Sequence, residues 1–86
     1  MTEAALFHRC RRALGLSQLV IARALLIASD RTIRRWEQDE LMVAGPAWVA
    51  LEYLLRENHQ DRLADEVARQ RRVEMYQTQR SSLPAL

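Results

Sequence analysis

Apolar residues recur along most of this chain at spacings of three and four, as one buried face of an α-helix requires, and no segment alternates as a half-buried strand would. Thr2 is placed to cap a first helix with Glu3 in its first turn. Leu6, Phe7, Cys10 and Leu14 follow at helical spacing until Gly15, which predicts helix one over Glu3 to Leu14. Ser17 caps a second, short and mostly buried helix, where Leu19, Ala22 and Leu26 with Ile21 and Leu25 give a broad apolar face. Ser29 and Asp30, both capping residues, open a third segment with Ile33 and Trp36 three apart, ending near Gln38. Gly45 and Pro46 mark a break and then a first helical position, starting a fourth helix whose Val49, Leu51, Leu54 and Leu55 close the core. Trp48 and Tyr53 partly widen that surface. Asn58 with Asp61 three residues on suggests a capped start for a fifth, highly charged helix carrying a narrow stripe of Leu63, Ala64, Val67 and Ala68. It is expected to fray after Gln77, and Ser81 to Leu86, with Pro84, reads as a loose tail. The pattern predicts an all-α, five-helix single domain.

Composition narrows the class of function. The 86 residues are 49% hydrophobic and 28% charged, which predicts a folded chain whose core is too small for a sizeable active-site cavity. A binding module is favoured over an enzyme. The formal charge is +2, yet all 13 basic residues are arginine. Arginine suits phosphates and guanine edges, while a GC-rich genome would raise its usage for no functional reason; the two readings carry equal weight. Before Gly45 there are seven Arg and five acids, and after it six of each. A single cysteine, Cys10, forms no internal disulfide, and no Cys/His set has zinc-ligand spacing, so no metal or cofactor is expected. The apolar stretches Leu19 to Ala28 and Leu41 to Leu55 are too short and too interrupted to span a bilayer. Met1 to Ala5 carries no basic n-region, so a signal peptide is not expected and a cytoplasmic location fits.

Candidate chemistry concentrates on the third helix. At about 100° per residue, Arg31, Arg34, Arg35 and Gln38 share one face and Ile33 and Trp36 the opposite one. Guanidiniums on a rigid helix, preceded by a short apolar helix and a tight turn, match what the DNA major groove admits.

Leu14-Gly15-Leu16-Ser17-Gln18, then Ala22, Leu25 and Arg31-Thr32-Ile33-Arg34-Arg35-Trp36-Glu37, resemble the helix-turn-helix of the Cro and phage-repressor-like family, over about residues 7–55. The resemblance implies a lambda-repressor-like fold. Residues 1–57 would form the DNA-binding domain, 58–79 a C-terminal helix for packing or dimerisation, and 80–86 the tail. It further implies that Gln18, beside Ser17, touches a phosphate and braces the recognition helix. Asp30, Arg31, Thr32 and Arg35 meet base edges in this reading, with Arg34 nearer the backbone; Ser29 and Gln38 also count among the DNA-binding residues, and Ile33 and Trp36 are core. Two departures stand out. The turn Leu26-Ile27-Ala28-Ser29 is one residue longer than usual and lacks the family's glycine, and Asp39 stands where glycine often follows the Trp-Glu pair. Aspartate tolerates the left-handed conformation better than most side chains.

Plainer readings stand beside these. The helix-three arginines could be a solvated face. Asp30 either caps that helix, the favoured role, or accepts a bond from cytosine. His8 and His59 read as surface or core residues rather than a catalytic pair or metal ligands, and Trp36 and Trp48 as core aromatics rather than a base-stacking platform. The fifth helix packs either on its own domain or on a second copy. Because one recognition helix reads only a few base pairs, the second is favoured: a homodimer through helices four and five, with Trp48, Leu55, Leu63 and Val67 at its interface and an inverted-repeat operator. The expected function is a sequence-specific, dimeric regulator binding double-stranded operator DNA, most simply a repressor of its own operon. The resemblance permits a phage or mobile-element setting, such as an anti-CRISPR operon. The alternative is an antitoxin-type module that binds a protein partner through its fifth helix and tail, with DNA secondary.

Overall fold

A computed structural model describes residues 2–82, with side chains through Arg71. It contains α1 (Glu3–Leu14), α2 (Gln18–Ala24), α3 (Asp30–Glu37), α4 (Gly45–Glu57) and α5 (Asp61–Ser82), and no strand among the described residues. The helix starts follow local side-chain chemistry. Thr2 Oγ1 accepts from the Ala5 N–H at 3.0 Å, Ser17 Oγ from the Val20 N–H at 3.1 Å, and Ser29 Oγ from the Arg31 N–H at 3.1 Å. The third cap is therefore Ser29, and Asp30 is the first residue of α3 rather than its cap. Pro46 in the first turn of α4 needs no donor there.

The helix ends share one geometry. After each of α1 to α4 a residue takes the left-handed conformation: Gly15 (φ 70°), Leu26 (φ 59°), Asp39 (φ 60°) and His59 (φ 61°). The next amide then reaches back to a carbonyl of the last turn: Leu16 N–H to Arg11 O, Ile27 to Ala22, Glu40 to Arg35 and Gln60 to Leu55, at 2.7 to 3.3 Å. Three of the four ends thus lack the glycine that would adopt this conformation freely. Asn58 closes α4 instead of opening α5, its Nδ2 donating to Leu54 O at 2.8 Å.

The core joins all five helices through Phe7, Cys10, Ile21, Ile33, Trp36, Trp48, Leu51, Leu55 and Val67. Phe7 sits between the two indoles, 5.4 Å from Trp36 and 6.0 Å from Trp48, edge to face in both pairs. Trp48 Nε1 donates to Glu3 Oε1 at 3.0 Å, so the buried indole keeps its hydrogen bond. Arg71 reaches Glu52 at 2.8 Å and Arg56 bridges Glu52 and Asp65 at 3.2 and 3.1 Å, which fastens α5 to α4.

Several sequence expectations are corrected. Trp48, Leu55 and Val67 are completely buried within the protomer, and Leu63 is half-buried against the same core. The expected dimer residues are consumed internally, because α5 folds back on α4 and covers its own apolar stripe. α2 ends at Ala24, which leaves Leu26 in the turn at 92% exposure, and Leu19 is half-exposed. Val49 faces outward while Trp48 takes the central core position. The α5 helix continues past Gln77 to Ser82; the rest of the expected tail lies outside the described residues.

Candidate nucleic-acid interface

α3 is only eight residues long, so propensity alone would not hold it in water. Packing supplies what propensity lacks. Ile33 is fully buried and Trp36 nearly so, and they fix the rotation of the helix about its axis. That rotation turns Arg31, Arg34, Arg35 and Gln38 to solvent on one side, as the spacing predicts, with Thr32 half-buried. Arg31 forms no ion pair among the described residues. Arg34 Nη2 lies 3.8 Å from Asp30 one turn back, and Arg35 Nε lies 3.8 Å from Glu40 beyond the helix end. Both pairs are long and half-exposed, so each contributes at most ~1 kcal/mol and yields readily to another anion. Asp30 at the start of the helix and Arg34 and Arg35 in its last turn also complement the helix dipole.

Gln18, the first residue of α2, is half-buried and lines a shallow open depression with Arg34 of α3, Gln38 at the C-cap of that helix, and Thr2 and His8 of the α1 end. The start of α2 and the far end of α3 thus meet on one surface. Ser17 and Ser29 are exposed, but each hydroxyl is engaged at its own helix start.

What the sequence reading missed lies directly under this surface. Glu37, one residue after the buried Trp36, has a side chain only 7% exposed, yet it is fully paired. Arg11 Nε donates to Oε2 at 2.6 Å and Arg11 Nη2 to Oε1 at 2.9 Å, the parallel fork of a bidentate pair. His8 Nδ1 lies 2.8 Å from Oε1, and Arg11 Nη1 donates to Leu16 O at 3.0 Å. Burial alone would raise the Glu37 carboxyl, but the hydrogen bonds and charge of Arg11 and His8 overcome it and hold it below its ordinary value of 4.5. The set clamps the end of α3 to α1 and to the loop before α2. Its signal in the sequence was faint: an arginine and a histidine three apart on α1, and an acid next to a core tryptophan.

Outside this surface little chemistry is available. Cys10 is fully buried; burial pushes its thiol up to about 12, with Arg9 opposing and Glu66 adding to the shift, so it is an inert core residue. No group of three His, Cys, Asp or Glu is arranged to hold a metal ion among the described residues, and no helix there is long and apolar enough to cross a membrane. No family model, curated protein or solved structure matches this chain.

Proposed function

We propose that this protein is a helix-turn-helix regulator that binds double-stranded DNA in a sequence-specific way, with α3 in the major groove and the start of α2 on the adjoining backbone. One observation carries the reading. Arg31, Arg34, Arg35 and Gln38 project from one side of a helix whose other side is locked by Ile33, Trp36 and the Arg11–Glu37 clamp. Arg31 and Arg35, nearest the groove, would take guanine edges, each worth ~1–3 kcal/mol of discrimination, while Arg34 and Gln18 would hold phosphates. The left-handed Asp39 agrees with the family pattern that has glycine there, and Leu26 takes the same conformation in the turn where that family has its glycine.

Selection of random duplex DNA on the purified protein, at a stated salt near physiological, tests this. An enriched inverted repeat supports a dimeric regulator, and an Arg35→Ala protein should then retain DNA with a relaxed preference at one position of the half-site. Enrichment of nothing overturns the reading.

A homodimer belongs to the proposal, because one short helix reads too few base pairs to outcompete about 10⁶–10⁹ non-specific sites. Its interface must lie elsewhere than Trp48, Leu55 and Val67. The apolar side chains exposed just before and along α4 are Leu41, Met42, Val49 and Tyr53, of which Val49 and Tyr53 fall one turn apart on its outer side. The antitoxin-type alternative draws on α5: its 22 residues give a helix about 33 Å long, in a molecule 48 Å along its longest axis and 27 and 23 Å along the others. Recovery of a stable complex with one partner protein, and no enriched duplex, would favour it.

A further inference from the structure

His8 reaches the surface proposed to meet DNA from α1 rather than from α2 or α3. Its side chain is 49% exposed, and it lines the same depression as Gln18, Arg34 and Gln38. One ring nitrogen is already committed. Nδ1 lies 2.8 Å from Glu37 Oε1, and Arg11 Nη2 lies 2.9 Å from that oxygen and 3.3 Å from Nδ1. A guanidinium only donates and an ionised carboxylate only accepts, so the short contact to Glu37 places a proton on Nδ1. The longer approach of Arg11 to Nδ1 follows from both groups donating to Oε1. Nε2, across the ring from the buried carboxylate, is left on the exposed side, and it is the nitrogen that gains a proton when the imidazole becomes a cation. The bond from Nδ1 to Glu37 holds the ring in either state.

The charges around the ring decide what that proton can meet. On α1, Arg11 is spent in its fork with Glu37, and Arg12 follows one turn after His8. On α3, Glu37 is neutralised by that fork and Arg34 lines the depression, with Asp39 beyond the helix end as the other acid there. α2 brings the uncharged Gln18, and no charged group of α4 or α5 lines the depression among the described residues. With His8 charged, two cations therefore face one exposed acid, and an anion is the complementary ligand.

We infer that His8 is a third donor to the backbone phosphate held by Gln18 and Arg34, giving its Nε2–H to a phosphate oxygen, so that duplex binding weakens as the imidazole loses its charge. Neutral His8 turns the Nε2 lone pair toward an oxygen that is itself an acceptor, so the contact is present at the acid end of the histidine range and lost at the alkaline end. The inference rests on the DNA-binding reading and adds to it a contact from α1 and a dependence on pH.

Retention of one duplex of fixed sequence by the full chain tests it, at about pH 5.5 and about pH 8 and over a range of salt. A phosphate contact is indifferent to sequence, so no operator is needed. The native protein should bind about fivefold more tightly at the lower pH, the worth of one exposed charge pair. His8→Gln should remove that gain and His59→Gln should keep it. At the lower pH the slope of log affinity on log salt should be shallower in His8→Gln by about one. A purely structural role for His8 would lower affinity at both pH values and leave the slope alone. A thermal melt establishes that His8→Gln keeps the fold. Calorimetry of the native protein in buffers of different ionisation heat, at about pH 6.5, gives a reading free of substitution, since duplex binding should then take up protons. No uptake, a pH gain kept in His8→Gln, or an equal salt slope overturns the inference and leaves the DNA-binding reading standing. A native protein that retains no duplex at either pH overturns both.

Discussion

At the scale of single residues, the strongest local design is the carboxylate of Glu37, an acid that the core nearly encloses and yet keeps ionised. Removing one member of such a pair leaves the other charged and desolvated, so Glu37→Ala should cost about 3 kcal/mol, a large share of the ~5–15 kcal/mol that holds a small domain together. The pH dependence follows from the direction of the shift. A carboxyl held below its ordinary 4.5 in the folded protein contributes stability that is complete above that value and is lost as pH falls through the folded value. Melting curves of the native protein and Glu37→Gln should therefore differ most at neutral pH and converge in acid. A gap that stays constant on acidification would show that the pair adds nothing to folding. Glu40 makes the opposite case. Its contact with Arg35 is 3.8 Å long and half-exposed, so Glu40→Gln should leave the melting temperature unchanged. If α3 meets DNA as proposed, the same change frees Arg35 and should tighten duplex binding several-fold at low salt, with the gain shrinking as salt rises.

At the scale of elements, α1 to α4 end on left-handed residues, and the cost of that ending depends on who occupies it. Gly15 adopts φ 70° freely, whereas the leucine at position 26 meets its own Cβ against the backbone. Leu26→Gly should therefore stabilise the domain by about 1 kcal/mol, read as a higher denaturant midpoint at an unchanged slope. Ser29→Ala, which leaves the first turn of α3 short of an acceptor, should destabilise it by about 1 kcal/mol. These ends also mark what was legible beforehand. Thr2, Ser17, Ser29, Gly15 and the Gly45–Pro46 pair act through bonds to their immediate neighbours, so the sequence pattern located both ends of α1 and α3 and the starts of α2 and α4 to within a residue. Asn58 was misread because the same side chain that can accept at a helix start can donate to a helix end, and only the returning chain decides which. The Glu37 clamp was invisible for a related reason: it joins residues 26 and 29 positions apart, through a bend that no local pattern encodes.

At the scale of the whole molecule, apolar periodicity says that a face will be covered and is silent on what covers it. Leu63 and Val67 at helical spacing fit a second copy as well as they fit α4, and the structure assigns them to α4, with Trp48 and Leu55 beneath. That assignment moves the dimer question to a testable place. If two copies associate through the apolar residues left outside, Val49→Asp and Tyr53→Asp should each convert a dimer to monomer in sedimentation. Neither should shift the melting temperature of the protomer beyond the loss due to dissociation, because both side chains are about half or more exposed. Trp48→Ala should instead destabilise the protomer itself by about 3–5 kcal/mol, since it removes a buried ring that packs on Phe7 and donates to Glu3. The consequence for DNA is geometric. If α3 binds DNA as proposed, a two-fold pair of such helices would read half-sites about 34 Å apart, one turn of the duplex, so the monomeric variants should still bind a half-site weakly but lose the dependence on half-site spacing. A native protein that sediments as a monomer both alone and on its selected duplex would rule out the two-fold arrangement, and α3 would then have to gain its remaining specificity from the shape of the DNA around its few contacts.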